Sequence, residues 1–318
     1  MVPFIDESFV EEHTNFIELG ENLRQAFASG QIVTPQRHHH DFQNPKEGID
    51  STLLLMPAWD TGIDLGVKIV SVSPNNGKYN LPSIQGTYLY MDGHTGEVKA
   101  IFDAKCLTAK RTAAVSALAS SYLSRQNAST LLMIGTGTLS GNLIQAHSAF
   151  RNIKRVFIWG RNLSKAKKVA ELCGDSIPEV EVLSEYEKTI KKADIISCAT
   201  LSAEPLIHGD LLRKGQHLDL VGSYKTDMRE ADDQCILRSS LFLDTYQGGL
   251  RESGDIVIPI EKGLINKQDI KGDLHELCSN KKTGRMNLDE ITLFKSVGHA
   301  SEDLVAARYY YKKFIENQ

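Results

Sequence analysis

Paired cysteines, a long apolar run and an excess of positive charge are all missing from this chain, and each absence removes a class of protein. The five cysteines, Cys106, Cys173, Cys198, Cys235 and Cys278, are odd in number and too widely spaced for a C-x-x-C pair. They read as reduced thiols, not as a disulfide framework or a zinc site. No uncharged apolar stretch reaches the roughly eighteen residues a membrane-spanning helix needs. The opening residues MVPFIDESFVEEH carry acids where a signal peptide carries lysine and then an apolar core, so a cytoplasmic protein with no membrane partner is expected. The formal net charge of −4, with no basic block, argues against a nucleic-acid partner held through phosphate contacts. No internal repeat and no low-complexity linker breaks the chain.

What is present suffices for a substantial core, since 318 residues with 41% hydrophobic content exceed one average domain. Two domains are expected. Up to about residue 105 the sequence mixes an amphipathic helix, Phe9 to Ser29 ending near Gly30, with the strand-like runs LLLMPAW, LGVKIVSV, GTYLYMD and VKAIFD. Asn75-Asn76-Gly77 and Asp92-Gly93 supply turn signals among them. An alanine-rich helix, LTAKRTAAVSALASSYLSR, follows. Strands and helices then alternate through LLMIG, VFIWG, VEVLS, DIISCAT, HLDLVGS and LFLDT, the rhythm of an α/β doubly wound parallel sheet. A last helix, Ser301 to Glu316, is placed to pack back on the first domain and make it discontinuous. The expected division is 1–110 with 300–318 for the α+β domain and 111–299 for the Rossmann domain.

Thr130 to Ala149, TLLMIGTGTLSGNLIQAHSA, reads as strand, glycine turn and helix in succession. Gly135 and Gly137 permit the tight turn and the close approach of a pyrophosphate, with Thr136, Thr138 and Leu139 completing the turn, and the helix start offers unpaired N–H groups to phosphate. Ser140 stands where the usual G-x-G-x-x-G pattern has its last glycine, and is small enough for close helix–strand packing. An ordinary turn between a core strand and a helix would use the same residues. A second strand, Arg155 to Trp159, is followed by Gly160, Arg161 and Asn162, where such a fold meets the adenosine ribose. An NAD site normally places Asp or Glu there, whereas arginine pairs with a 2′-phosphate. NADPH is therefore the expected cofactor, with Arg161 as main phosphate partner, Asn162 and Lys165 as lesser ones, and acceptance of NADH left open. The plainer reading of these three is a solvated helix start.

LTAKRTAA, the glycine turn and TLFKSVGHASEDL stand in an order and spacing that resembles the ornithine cyclodeaminase and mu-crystallin family over nearly the whole chain. The resemblance implies an N-terminal substrate-binding and dimerisation domain, a Rossmann domain, a homodimer, and membership among cyclodeaminases, alanine dehydrogenases and ketimine reductases. Arg37 in TPQRHHH, Lys68 in LGVKIVS and Arg111 in LTAKRTAA match its substrate-carboxylate positions, Lys68 and Arg111 being the catalytic candidates. Thr200, after DIISC, and Val297, in SVGHASED, match positions that line the cofactor. The chemistry needs such cations: arginine's planar fork fixes a carboxylate's orientation, and lysine supplies one movable donor. Arg37 is also readable as a surface charge and Arg111 as a helix-face residue. Lys68 interrupts an apolar run, and an ammonium on the inward side of a strand needs a partner.

The informative departure is in VGSYKTDMRE. Cyclodeaminases of the family carry an aspartate two residues after the strand's glycine. Tyr224 stands there, with an acid three residues on at Asp227, as in mu-crystallin-type proteins. Deamination and ring closure would lack their proton-handling carboxylate, whereas hydride transfer to an imine needs it less; orientation against the nicotinamide supplies most of the gain. The expected activity is NADPH-dependent reduction of Δ1-pyrroline-2-carboxylate to L-proline, with Δ1-piperideine-2-carboxylate as a second cyclic imino acid. Ornithine cyclodeaminase, alanine dehydrogenase and a nucleotide-dependent small-ligand binding protein stay as alternatives. Tyr224 itself reads as a participant or as a strand-end aromatic. His38, His39 and His40 invite a metal, but alternate strand residues face opposite ways and no ligand set is completed, so none is expected. His299 reads as a proton donor or a helix cap, and Glu302 and Asp303 as stabilisers of the last helix through its dipole.

Overall fold

Alternation of buried and exposed positions builds the first sheet. β1 (Phe4–Ile5), β2 (His38–Phe42), β3 (Ser51–Asp60), β4 (Asp64–Val72), β5 (Ile84–Asp92) and β6 (Val98–Asp103) assemble in the order β1-β6-β5-β4-β3-β2. The pairs from β2 through β6 are antiparallel and β1 is parallel to β6. Met56, Ala58, Tyr88, Tyr90, Ala100 and Phe102 are buried on one face, where the C-terminal helix, Ala300–Glu316, packs on β3, β4 and β5. The computed structural model describes residues 1–318, the side chain of Asp175 excepted. It divides into two units, Met1–Arg111 with His299–Gln318, and Thr112–Gly298.

One sequence expectation fails in the first unit. The helix read from Phe9 to Ser29 is two, α1 (Glu7–Glu12) and α2 (Phe16–Ser29). Asn15 breaks it, its side-chain oxygen accepting the N–H groups of Ile17 and Glu18 at 3.0 and 3.2 Å as the N-cap of α2. The strand readings hold, with ends extended by a few residues, and Asn75-Asn76-Gly77 falls in a short 3₁₀ turn, Pro74–Tyr79, between β4 and β5. α3 (Ala104–Leu123) carries the chain from the first unit into the second.

In the second unit β7 (Thr130–Ile134), β8 (Arg155–Trp159) and β9 (Glu179–Leu183) alternate with α4 (Thr138–Phe150) and α5 (Leu163–Cys173). After α6 (Glu187–Ile190) come β10 (Ile195–Cys198), β11 (His217–Leu220), α7 (Asp233–Arg238), β12 (Ser240–Leu243), α8 (Tyr246–Glu252), α9 (Gly254–Glu261), β13 (Ile270–Asp273), α10 (Leu274–Cys278) and β14 (Thr292–Lys295). The eight strands are parallel, ordered β13-β12-β14-β11-β10-β7-β8-β9. The order reverses between β7 and β10, and open sheets of this class bind ligands beyond the strand ends at such a reversal. β13 and β14 are additions to the sequence reading. β14 is central, but its four residues end in a lysine, and a short run closed by a charge carries little periodicity.

Both faces of this sheet are covered, so its polar residues must pair internally. On β10 and β11, the buried Asp219 carboxylate accepts from Ser197 Oγ at 2.7 Å and pairs with His147 Nε2 of α4 at 3.0 Å. His217 Nδ1 lies 3.0 Å from Thr292 Oγ1 of β14, and burial pushes this imidazole's pKa down to about 3. The five cysteines are free thiols, all buried. Among the described residues, no helix is long and apolar enough to cross a membrane.

Candidate active site

Lys68 lies in the middle of β4, opposite Met56 of β3 and Tyr88 of β5. Its side chain faces the C-terminal helix, and only 4% of the residue is exposed. Burial at that depth demands a counter-charge. Asp303 supplies it: Lys68 Nζ stands 2.7 Å from Asp303 Oδ2. Arg111, on α3, donates through Nε to Asp303 Oδ1 at 2.8 Å and through Nη1 to Glu302 Oε2. Both carboxylates are fully buried. The four side chains form a buried cluster of two cations and two anions.

The proton states follow from these contacts. Burial, with Arg111 and Arg37 nearby, pulls the Lys68 ammonium down to about 8 against the pull of Asp303. Burial works against Arg111's charge as well, but Asp303 and Glu302 hold its pKa above the ordinary value. Asp303 would be neutralised by burial alone; Arg111 and Lys68 keep its pKa below the usual aspartate range. Arg37, in the segment before β2, is half-buried. Glu302 and Asp303 thus do more than complement a helix dipole, which is a correction to the sequence reading. The sequence signal was a lysine interrupting the apolar run of a strand, which needs a partner once buried.

In the second unit the turn after β7 has the geometry a dinucleotide needs. Gly135 takes φ +123°, and a Cβ there would lie 2.6 Å from the Ala199 carbonyl oxygen beyond β10. A side chain at Gly137 would meet nothing within 4 Å. That open backbone abuts the start of α4, whose first-turn N–H groups at Thr138 and Leu139 have no helical acceptor. Thr136 fits beneath Gly160, where a Cβ would come within 2.5 Å of its methyl group. Ser140 is fully buried, as its place against the sheet requires. Arg161 and Lys165 are exposed at the end of β8 and on α5. Asn162 caps α5, its oxygen accepting Lys165 N–H at 3.1 Å and the Ser164 hydroxyl at 2.7 Å.

Two buried acids that sequence reading missed order the loops beyond the strands. Glu230 Oε1 accepts the Thr200 N–H and hydroxyl at 2.7 and 3.0 Å, and Oε2 accepts Gly222 and Ser223 N–H at 2.8 and 3.3 Å. Burial raises its pKa, with Lys295 Nζ 3.6 Å away and itself 3.1 Å from Asp255. Asp244 Oδ2 accepts the N–H groups of Val297 and Gly298 at 2.7 and 2.8 Å. No motif announces either acid. Tyr224, just beyond Ser223, is half-buried and Asp227 exposed. His299 precedes the C-terminal helix without capping it by its side chain; the ring Nδ1 lies 2.7 Å from Ser301 Oγ. His38, His39 and His40 lie exposed on the edge strand, the first and third rings 6.1 Å apart.

The model of the ornithine cyclodeaminase/mu-crystallin family matches residues 4–318. A Δ1-pyrroline-2-carboxylate reductase of Colwellia psychrerythraea is 38% identical, covering 96% of this chain and 98% of its own length. The structure of Thermococcus litoralis Δ1-pyrroline-2-carboxylate reductase in complex with NADH and L-proline superposes with a TM-score of 0.92 at 33% identity, over 99% of this chain and 98% of that one. An archaeal alanine dehydrogenase dimer with bound NAD gives 0.90 at 25% identity, over 99% and 97%. The chain belongs to the ornithine cyclodeaminase/mu-crystallin family.

Proposed function

We propose that this protein is an NAD(P)H-dependent ketimine reductase, converting Δ1-pyrroline-2-carboxylate to L-proline and accepting Δ1-piperideine-2-carboxylate as a second substrate. The observation that carries the reading is that one chain of this family has both the buried Lys68–Asp303–Arg111–Glu302 cluster and a phosphate-ready glycine turn. Arg111 has further N–H donors beyond the two engaged by Asp303 and Glu302, and Lys68 has donors beyond the one facing Asp303. These, with Arg37, suit a single carboxylate. The relatives whose names specify pyrroline-2-carboxylate reduction support the substrate class.

Gly135, Thr136, Gly137, Thr138 and Leu139 would hold the pyrophosphate, Thr200 and Val297 would border the nicotinamide, and Arg161 with Lys165 would take a 2′-phosphate. When bound, the reduced nucleotide would supply the hydride for the imine carbon, the imine nitrogen having taken its proton from water before binding. The residues of this chain bind and orient: two arginines and a lysine fix the carboxylate, which presents one face of the ring. NADPH is the preferred form in this reading because Arg161 stands where an NAD site has an acid. A homodimer is proposed from family membership.

Tyr224 separates the reductase from the cyclodeaminase, since no carboxylate occupies that position. The experiment follows nucleotide absorbance with Δ1-pyrroline-2-carboxylate and NADPH or NADH, beside pyruvate with ammonia, and L-ornithine with NAD. Rapid NADPH loss with the imine supports the proposal. Turnover confined to pyruvate or ornithine contradicts it in favour of another family activity, and silence in every arm favours a binding protein.

A further inference from the structure

We propose that Asp303 is the positioning residue of the carboxylate site: one oxygen holds Lys68, the other holds Arg111, and the pair is thereby fixed as a single receptor whose lysine stays protonated while substrate binds. This rests on the ketimine reductase reading. Placing an acid among cations meant for an acidic substrate looks counterproductive until the burial is considered. Without Asp303 the cluster would hold two cations against Glu302 alone, which pairs with Arg111, so the desolvated lysine, the weaker base, would shed its proton. Neutral Lys68 is a poor partner for a carboxylate. Asp303 prevents this while leaving donors on both cations unspent, and its two oxygens set the direction in which those donors point.

Charged and titratable groups face Lys68 from several elements. The C-terminal helix contributes Asp303 and Glu302, α3 contributes Arg111, and the segment before β2 contributes Arg37. β5 places Tyr88 directly opposite, its buried hydroxyl without a hydrogen-bond partner and its pKa raised by burial and by Asp303. β3 places the uncharged Met56 there. Asp303 is the member that pairs with both cations; the ion pair of Glu302 in this cluster is with Arg111. The acid's own charge is secured by Arg111 and Lys68.

The test is the pH dependence of kcat/KM for the imine in wild type, Asp303→Asn, Asp303→Glu, Glu302→Gln and Lys68→Arg. Wild type is expected to lose activity on the alkaline side as Lys68 titrates near its value of about 8. Asp303→Asn removes the counter-charge and leaves Arg111 as a repelling neighbour, so that limb moves to lower pH by at least about one unit, with the loss above it falling on KM. Asp303→Glu keeps the limb in place at reduced rate. Glu302→Gln raises KM but moves the limb less than Asp303→Asn does. Lys68→Arg abolishes the limb, because guanidinium does not titrate there. A limb unmoved in Asp303→Asn overturns the proposal; should that variant not fold, a limb that persists in Lys68→Arg overturns it equally. Lysine side-chain nitrogen NMR, assigned with Lys68→Arg, reads the same shift without substrate. If wild type does not reduce the imine, the functional reading fails, and an NMR shift on Asp303→Asn still decides the role of Asp303.

Discussion

Arg111, Arg161 and Tyr224 each make a claim that a single substitution can check. Arg111 presents a fork to two acids at once, which an ammonium cannot copy, so Arg111→Lys is expected to lower kcat/KM for the imine by at least about tenfold while the fold survives. Steady-state kinetics at saturating nucleotide would measure this. Arg161→Ala should lower kcat/KM for NADPH by about 10- to 100-fold, the worth of a charge-assisted phosphate contact, and change NADH little. An equal loss with both nucleotides would remove Arg161 as the selector. Tyr224→Phe should leave turnover within about threefold, because a phenol is a weak acid at neutral pH. At this scale the cations were legible in the sequence: Lys68 stood out by interrupting an apolar strand. Their acid partners were not, because Asp303 lies more than two hundred positions from Lys68 and only the fold brings them together. Glu230 and Asp244 were unreadable for a different reason: each bonds backbone N–H groups, which carry no side-chain signature.

Elements differ in how openly the sequence declares them. β3 through β6 and β7 through β12 are long or apolar enough for their period and turn residues to mark them, whereas β14 is short and ends in Lys295, whose charge is absorbed by Asp255. The break between α1 and α2 needed recognition of Asn15 as a cap within one apolar pattern. The β7–α4 turn is tightly constrained: Gly135→Ala sets a methyl against the Ala199 carbonyl at a positive φ, and should destabilise the protein by about 2 kcal/mol or more. Thermal melting would show it, alongside weaker nucleotide binding. β11 carries a pH signature. His217 is neutral when folded, with its pKa pushed down to about 3, while the unfolded imidazole takes its proton below about 6.5. Unfolded chain therefore binds more protons as pH falls, and stability should decline from about pH 6.5 downward by as much as about 1.4 kcal/mol per unit. Denaturant titration at several pH values, with His217→Gln as the comparison, would reveal the slope and its loss.

As a whole molecule, the chain forms two compact units. The first gathers Lys68, Arg111, Glu302 and Asp303 from a sheet, α3 and the C-terminal helix; the second holds the glycine turn and the loops ordered by Glu230 and Asp244. Return of the last helix to the first unit explains why residues at both ends of the sequence meet in one cluster. The proposed homodimer is checked by sedimentation, where a species near twice the 35.3 kDa chain mass is expected. The most direct test of the account is the rate of nucleotide oxidation by purified protein with Δ1-pyrroline-2-carboxylate, compared between NADPH and NADH and with L-proline identified as product. Turnover that is faster with NADPH and yields L-proline is the predicted result. Release of ammonia from L-ornithine, with no reduction of the imine, would contradict it.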